Sequence, residues 1–272
     1  MPCVWLLLLP RKGLLALESA DLQLIKAAKG GESPRQARSG VPEVKAVIGA
    51  GTGLGECFLT NHNHTAGEAA GGWEVCAAEG GHSDFAPRTQ QEFEIMQYIL
   101  SQSRLHPNKA EWLDRVSTER VVSGLGLPKI YSFLASKRGD ANPSVAAQIR
   151  APDADIGRII GVAAQDNSCP VCAETMRIFV GSYGAEAGNL CLKLLPFSGL
   201  YIAGGIAAKN MQLMLRNDQF VRNFLDKGRM KEVLERVPIY LITHKSVGLL
   251  GSKVICRRTL HAATTKKIVS KL

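Results

Sequence analysis

The chain of 272 residues is long enough to bury a substantial core, and its 46% hydrophobic content excludes a disordered protein. Its formal net charge is +9, but only 6% of its residues are aromatic and no recognition motif accompanies the basic residues, so we predict no nucleic-acid partner. The seven cysteines are odd in number and scattered along a sequence without a secretory segment. This pattern favours reduced thiols over disulfides.

Two short segments invite functional interpretations that their context does not support. Val4 to Leu9 is an apolar run too short to cross a bilayer, and it lacks the basic start and cleavage site of a signal peptide. Cys169-Pro-Val-Cys172 has redox or half-zinc spacing, but no second pair of Cys or His stands at zinc-finger distance. We therefore predict no membrane partner, and at the cysteine pair the first turn of a helix.

The stretch from Val44 to Leu59 predicts a strand, a tight turn and a second strand. Four of the seven residues at 49–55 are glycine, which suits a backbone that needs positive φ or lies against another group. The bare backbone N–H groups of such a turn, together with the Thr52 hydroxyl, are suited to a phosphate oxygen. These four glycines are Gly49, Gly51, Gly53 and Gly55.

The spacing of these glycines excludes two familiar phosphate loops. A dinucleotide fingerprint that began at Gly49 would need glycine where Leu54 stands, and one that began at Gly51 would need glycine where Glu56 stands. No Gly-Lys-Ser/Thr triplet of a Walker loop follows. From the residues alone, a glycine-rich hairpin without a ligand is an equal alternative to a phosphate cradle.

A second candidate site follows the predicted third strand. Glu79 and His82 are separated by two glycines, which let the backbone turn sharply so that both side chains point into one cleft. A carboxylate with an imidazole suits the vicinal hydroxyls of a sugar, although a structural Glu beside a turn His is the simpler alternative. Asp84 is either a helix N-cap or a supporting partner of this pair.

A third candidate lies further along the chain, where Gly199 to Ile206 predicts a strand, a Gly204–Gly205 pair and the start of a helix. The glycine pair would offer a flat backbone surface to a nucleotide base or ribose. The alternative is a strand-to-helix turn that merely needs small residues.

The remaining patterns outline a mixed α/β chain. Gly72 to Ala78 and Pro238 to Thr243 have strand composition, and His62 and His64 stand among Asn, Thr and Gly that are typical of an exposed turn rather than a metal site. Lys137 to Pro152 contains the turn residues of an extended surface loop. The predicted helices are Gln90–Ser101, Leu127–Leu134 and Ala173–Leu195, and Leu14–Ala28 is amphipathic.

Taken together, several motifs resemble those of the bacterial-type glucokinases in the hexokinase, actin and Hsp70 ATPase superfamily. The resemblance extends from about Gly13 to about Leu260 and depends on motifs that occur in the family's order. They are GAGTGLG at 49–55, EGGHSDFAP at 79–87, ERVVSGLGL at 119–127, IAGGI at 202–206, DKGRMKE at 226–232 and VGLLGS at 247–252.

The resemblance implies an α/β fold, a ribonuclease H-like ATPase lobe in which helices flank a mixed β-sheet that opens with three antiparallel strands. Residues 1–40 would be the remnant of a small N-terminal lobe that is largely missing, with its linker. Residues 41–251 would form the large lobe that binds sugar and nucleotide. Residues 252–272 would form a basic C-terminal helix and a targeting tail.

The same resemblance implies ATP-dependent phosphorylation of glucose to glucose 6-phosphate, with Mg²⁺ neutralising the transferred phosphoryl group. Glu79, His82 and Glu119 match the residues that hold the sugar in the family. No residue is predicted to bind a metal, and a homodimer is one option for assembly. The residues that match the ATP-binding motifs are Gly49, Gly51, Thr52, Gly53, Gly55, Gly204 and Gly205.

The N-terminal sequence departs from the family pattern. The family's catalytic Asp precedes the segment that resembles Gly13 to Leu17, but Val4 to Lys12 contains no carboxylate, and the Asp-Gly-Gly-Thr phosphate loop has no counterpart. We therefore predict no catalytic base, and turnover reduced by the roughly 10²–10⁴-fold that a positioned base contributes. A sugar-binding sensor without turnover and an inactive fragment are the alternatives.

The tripeptide Ser270-Lys271-Leu272 matches a peroxisomal import signal. Glucokinases of this type occur in the peroxisome-like glycosomes of trypanosomatids. The expected location is therefore a glycosome or peroxisome, reached through the import receptor, and the cytoplasm is the alternative.

Overall fold

The computed structural model describes residues 17, 19–29, 43–61, 73–139 and 142–251. Several predictions concern other residues. The apolar N-terminal run, the histidine turn at 62–64, the basic C-terminal helix and the tripeptide at 270–272 all lie outside the described residues.

Within this described part, the strands form one mixed six-stranded sheet in the order β1-β6-β5-β2-β3-β4. Strands β2, β3 and β4 are successive antiparallel neighbours, while β5 and β6 run parallel to β2 and β1 is antiparallel to β6. The strands are β1 Leu22–Lys26, β2 Glu43–Ala50, β3 Leu54–Asn61, β4 Trp73–Ala78, β5 Leu200–Ala203 and β6 Ile239–Ile242.

The predicted opening of three antiparallel strands is confirmed. The register pairs Ala50 with Leu54 and leaves only residues 51–53 in the turn. Because side chains alternate along a strand, Ile48 and Ala50 belong to the main core, whereas Val47 packs on the opposite face of the sheet with Cys57.

Helices follow β4 and separate the later strands. None of those in the described ranges is long and apolar enough to cross a membrane. The helices are α1 Gln90–Arg104, α2 Leu127–Arg138, α3 Pro143–Arg150, α4 Ile156–Gln165, α5 Pro170–Leu194, α6 Gly205–Lys209, α7 Met211–Leu215, α8 Gln219–Leu225 and α9 Lys231–Glu235. The predicted helix start at Cys169-Pro-Val-Cys172 is confirmed, since Cys169 occupies the N-cap position of α5.

The predicted surface loop over Lys137–Pro152 is wrong, because α3 occupies half of it and the end of α2 occupies its first two residues. The Asn142 side chain caps this helix by accepting from the backbone N–H groups of Ser144 (3.0 Å) and Val145 (3.2 Å). Pro143 stands in the first turn, where its missing N–H is tolerated. Asn142 and Pro143 are turn residues, but the same residues also favour a helix start.

Helix α5 is the long helix predicted at Ala173–Leu195, and it packs closely against α8. A Cβ atom at Gly184 would overlap the backbone carbonyl oxygen of Phe220 on α8. Gly188 similarly contacts the backbone of Phe224, one helical turn further along α8. The two helix backbones therefore lie too close together for larger side chains at these glycines.

A tyrosine of α5 supports the sheet where β2 ends. The fully buried Tyr183 hydroxyl donates to the Ile48 carbonyl oxygen (3.3 Å) and accepts from the Ala50 N–H (3.2 Å). Burial raises the pKa of this phenol, so that it keeps its proton for the donated bond. Tyr183 thereby holds the strand end from which the 51–53 turn begins.

We expect Tyr183→Phe to lower the free energy of unfolding by about 1–3 kcal/mol, because the buried Ala50 N–H loses its acceptor. Chemical denaturation measures this loss. Tyr98→Phe is the control, since Tyr98 is only partly buried and its variant should stay within about 0.5 kcal/mol of the parent. Equal stability of Tyr183→Phe and the parent would contradict a structural role for the hydroxyl.

Candidate functional site

In the part of the chain that the structure describes, the turn between β2 and β3 is held from one side. Across the turn, the Gly51 N–H donates to the Gly53 carbonyl oxygen (2.8 Å). A second turn, at residues 123–126, holds it through the Gly124 N–H, which donates to the Gly51 carbonyl oxygen (2.7 Å). Thr52 is exposed, and no heavy atom lies within 4 Å of where a Gly51 Cβ would stand. The opposite side of the turn is therefore open to a ligand.

The other glycines of this motif lie in the sheet or in the buried part of the turn. Gly49 and Gly55 face each other as cross-strand partners, and Gly53 is buried. A Cβ at Gly49 would stand 3.3 Å from the Ala203 Cβ, closer than most such contacts. Gly49 therefore lets β2 and β5 approach each other, and none of the three glycines lines the cleft described next.

The Gly204–Gly205 pair follows β5, and its first glycine approaches the end of β2, directly before the same turn. Gly204 has a φ of +94°, and a Cβ there would overlap the Ala50 carbonyl oxygen. Gly205, the first residue of α6, has no heavy atom within 4 Å of its Cβ position. The first glycine is thus a packing position, and the second faces open space.

Three of the seven predicted ATP-binding residues line one cleft of about 480 Å³, namely Gly51, Thr52 and Gly205. Its other walls are formed by the 123–126 turn and the start of α2, by residues 154–158 before and within α4, and by Ile206, Lys209 and Asn210. Three charged residues stand on these walls, the acidic Asp155 and the basic Arg158 and Lys209. Sequence reasoning missed the 154–158 wall, whose only local signal is Asp155 as the N-cap of α4.

The sugar-site candidates Glu79 and His82 lie together on a 3₁₀ turn directly after β4. The Glu79 Oε2 and His82 Nε2 atoms are 3.8 Å apart, and their side chains are 61% and 51% exposed. The intervening backbone fits closely against the hairpin, because a Cβ at Gly81 would overlap the Leu54 carbonyl oxygen. Two adjacent polar side chains are thus presented to solvent from a tightly seated loop.

Glu119 reaches the same hairpin from a distant part of the chain. Its Oε2 accepts from the Leu54 N–H at 2.9 Å. The segment before Glu119 is attached to the sugar loop by the Thr118 N–H, which donates to the Ser83 carbonyl oxygen (2.9 Å). The structure therefore brings the Glu79–His82 turn and Glu119 to one residue, Leu54.

Asp84 is not a helix cap. Its carboxylate pairs with Arg115 at 2.9 Å, and Arg115 also donates to the His82 carbonyl oxygen at 2.8 Å. The pair is exposed, so it contributes little free energy, but it fixes the orientation of the loop backbone. Sequence reasoning had named Asp84 as a supporting partner without finding Arg115.

A lysine that the motifs did not indicate stands near Glu119. Burial and the neighbouring Arg120 lower the pKa of Lys129, while the Glu119 carboxylate opposes that shift. Lys129 lies on α2, one turn after the 123–126 turn that holds Gly51. Lys129 is therefore a partly buried cation close enough to Glu119 for the two charges to interact.

The glucokinase family model matches residues 14–259. The chain belongs to the glucokinase family. A glucokinase of Nostoc punctiforme is 40% identical over 257 residues, which cover 90% of this chain and 68% of that protein. The crystal structure of a glucokinase from an Antarctic psychrotroph has a TM-score of 0.68 at 27% identity, covering 93% of this chain and 67% of that one.

A glucokinase of the ROK family from Streptomyces griseus, solved in complex with glucose and AMPPNP, has a TM-score of 0.50 at 20% identity. It covers 82% of this chain and 62% of its own. The predicted α/β fold of actin- and hexokinase-type ATPases is confirmed by these structural neighbours. The chain spans about two thirds of the length of the family members it matches, and the roles of individual site residues stay predictions.

The two adjacent glycines of IAGGI provide a matched pair of variants. Gly204→Ala should lower the free energy of unfolding by at least about 1–3 kcal/mol, because an L-residue is strained at this φ and its Cβ meets a carbonyl. Gly205→Ala should stay within about 0.5 kcal/mol of the parent, since its methyl group enters open space. Thermal or urea denaturation measures both values, and equal effects would contradict this division of roles.

Proposed function

We propose that this protein transfers the terminal phosphoryl group of ATP to the 6-hydroxyl of glucose, in the cleft around the β2–β3 turn. One observation carries the proposal. Gly51 and Thr52 line the nucleotide-side cleft, while Leu54, two residues further on, contacts both Glu119 and the Glu79–His82 turn. Donor and acceptor would therefore meet across a single hairpin turn.

Glucose would bind on the Leu54 side of this turn. The Glu79 and Glu119 carboxylates would accept hydrogen bonds from sugar hydroxyls, and the His82 ring would add a third polar contact. Hydrogen bonds to charged groups are the strong class, which suits a small ligand that has little apolar surface. The glucose in the Streptomyces griseus complex supports this choice of sugar.

ATP would bind on the other side of the turn. Its terminal phosphate would lie against the Gly51 backbone and the Thr52 hydroxyl, and its nucleoside would extend toward Gly205. The AMPPNP of the same Streptomyces griseus structure supports this donor. Mg²⁺ would enter as part of the Mg-ATP substrate, held mainly by phosphate oxygens and water, because the described residues contain no group of three potential ligands.

In the proposed reaction, the 6-hydroxyl oxygen forms a bond to the γ-phosphorus while the bond to the β,γ-bridging oxygen breaks. ADP leaves, and the hydroxyl proton is lost as the new bond forms. The residues named above would bind and orient the two substrates. We assign none of them as the acceptor of that proton.

Two measurements on the purified chain test the proposal. A coupled assay with glucose and Mg-ATP should give ADP that depends on glucose and saturates. Calorimetry should show glucose binding without nucleotide. Binding without ADP formation would favour the sensor, and no binding would favour the inactive fragment. Turnover in the range of 1–10³ s⁻¹, which is typical of enzymes, would show that a catalytic base is present and that the predicted reduction is wrong.

We expect Glu79→Gln to weaken glucose binding by about 1.5–3 kcal/mol, because a neutral amide replaces a charged hydrogen-bond acceptor. Isothermal calorimetry measures the change. Glu74→Gln is the matched control, since Glu74 is an exposed residue of β4 in the same part of the chain. Unchanged glucose affinity in Glu79→Gln would remove this residue from the proposed sugar site.

From the sequence alone, we further propose that Ser270-Lys271-Leu272 directs the protein to a glycosome or peroxisome. Deleting Leu272 should turn a fusion with an N-terminal fluorescent protein from punctate to diffuse, because the receptor reads the whole tripeptide. Fluorescence microscopy of both fusions in a trypanosomatid host provides the measurement. If fluorescence stayed organellar after the deletion, the targeting signal would lie in another segment.

A further inference from the structure

Two acidic residues are buried beneath the candidate site without a role in it. Glu56 on β3 is 3% exposed and Glu186 on α5 is 5% exposed. One carboxylate oxygen of each, Oε1, is buried without a hydrogen-bond partner among the described residues. A buried acid with an unsatisfied oxygen is costly to a fold, so this pair requires an explanation.

Glu56 lies directly below the sugar loop. A Cβ atom at Gly80 would overlap the Glu56 Oε2, so the carboxyl group contacts the loop backbone itself. The sheet register adds a second link, because Glu56 pairs with Ala78, which immediately precedes Glu79. The Glu56 carboxyl group therefore forms the floor on which the Glu79–His82 turn is seated.

The surroundings of Glu56 favour its neutral form. Burial raises the pKa of Glu56 to about 8, with a further contribution from the Glu186 charge and an opposing one from Lys193. The other titratable groups near it are Tyr183 and Cys191 on α5 and Cys57 on its own strand, and burial raises the pKa of each of them. None of these three supplies a positive charge.

Glu186 is the better placed of the two acids to carry the negative charge. Burial raises the pKa of Glu186 as well, but Asn189, Lys193 and Lys227 oppose that rise. The Asn189 Nδ2 donates to the Glu186 Oε2 at 3.0 Å, and the Lys227 Nζ donates to the Asn189 Oδ1 at 2.7 Å. Lys227, from the DKGRMKE motif, thus orients the amide that stabilises Glu186.

We propose that Glu56 is a positioning residue for glucose binding, which as a neutral carboxylic acid supports Gly80 and so keeps Glu79 and His82 in place. This inference rests on the proposed sugar site. Ionised Glu56 would lie beside charged Glu186 in a closed volume, and its carboxylate would need water that the seated loop excludes. Because Gly80 covers the carboxyl group, ionisation of Glu56 would displace the loop.

The first test is the pH dependence of glucose affinity, measured by calorimetry between pH 6 and 9. Affinity of the parent should fall about tenfold by pH 9, one unit above the pKa at which Glu56 loses its proton. Glu56→Gln cannot ionise and should give a flat profile, with affinity at pH 7 within about threefold of the parent. Glu56→Leu should also be flat, and it replaces Glu56→Gln if that variant does not fold.

A ligand-free readout separates this inference from the proposed function. The His82 N–H donates to the Glu79 carbonyl oxygen (3.0 Å) and the Ser83 N–H donates to the Gly80 carbonyl oxygen (2.9 Å), so both amides report on the seated loop. After correction for intrinsic exchange, hydrogen exchange at these amides should accelerate above pH 8 in the parent but not in Glu56→Gln.

Glu74→Gln, the exposed β4 variant, should behave like the parent in both tests. If glucose fails to bind at every pH while the exchange profile responds as described, the proposed function fails and the role of Glu56 in seating the loop stands. Loop exchange that is independent of pH in the parent, or equally dependent in Glu56→Gln, would overturn the inference.

Discussion

The backbone of Leu54 is the constraint on which both halves of the candidate site depend. Its N–H donates to the Glu119 carboxylate, and its carbonyl oxygen contacts the Gly81 backbone so closely that no side chain fits between them. These contacts join three segments that are far apart in sequence. A shift of this residue would therefore move the sugar-side acids and the 51–53 turn together.

Helix α5 supports this hairpin from below at two places. Tyr183 bonds the end of β2, and Glu186 lies close enough to Glu56 to raise its pKa. One rigid helix of 25 residues therefore stands under both the nucleotide-side turn and the sugar loop. Its glycines permit close packing against α8, and this packing keeps the buried polar groups away from water, which would otherwise weaken their interactions.

The glycines of the site divide into two kinds that the sequence does not distinguish. Gly49, Gly81 and Gly204 are places where backbones or strands approach closely, whereas Gly51 and Gly205 face open space. Both kinds occur in the same motifs, but for different physical reasons. Only the second kind leaves room for a ligand, so a motif that is rich in glycine overstates the number of residues that can touch a nucleotide.

The sequence alone determined the features that depend on residues close together in the chain or on the order of motifs. It predicted the β2–turn–β3 hairpin, the long α5 helix and the family, because alternation, periodicity and motif order are local or linear properties. It failed at α3, where Asn142 and Pro143 are compatible with a loop or a helix start. Only the tertiary structure decided that Glu119 reaches Leu54, that residues 154–158 wall the cleft and that Glu56 is buried beneath Gly80, because these contacts join residues distant in sequence and their free energies depend on burial.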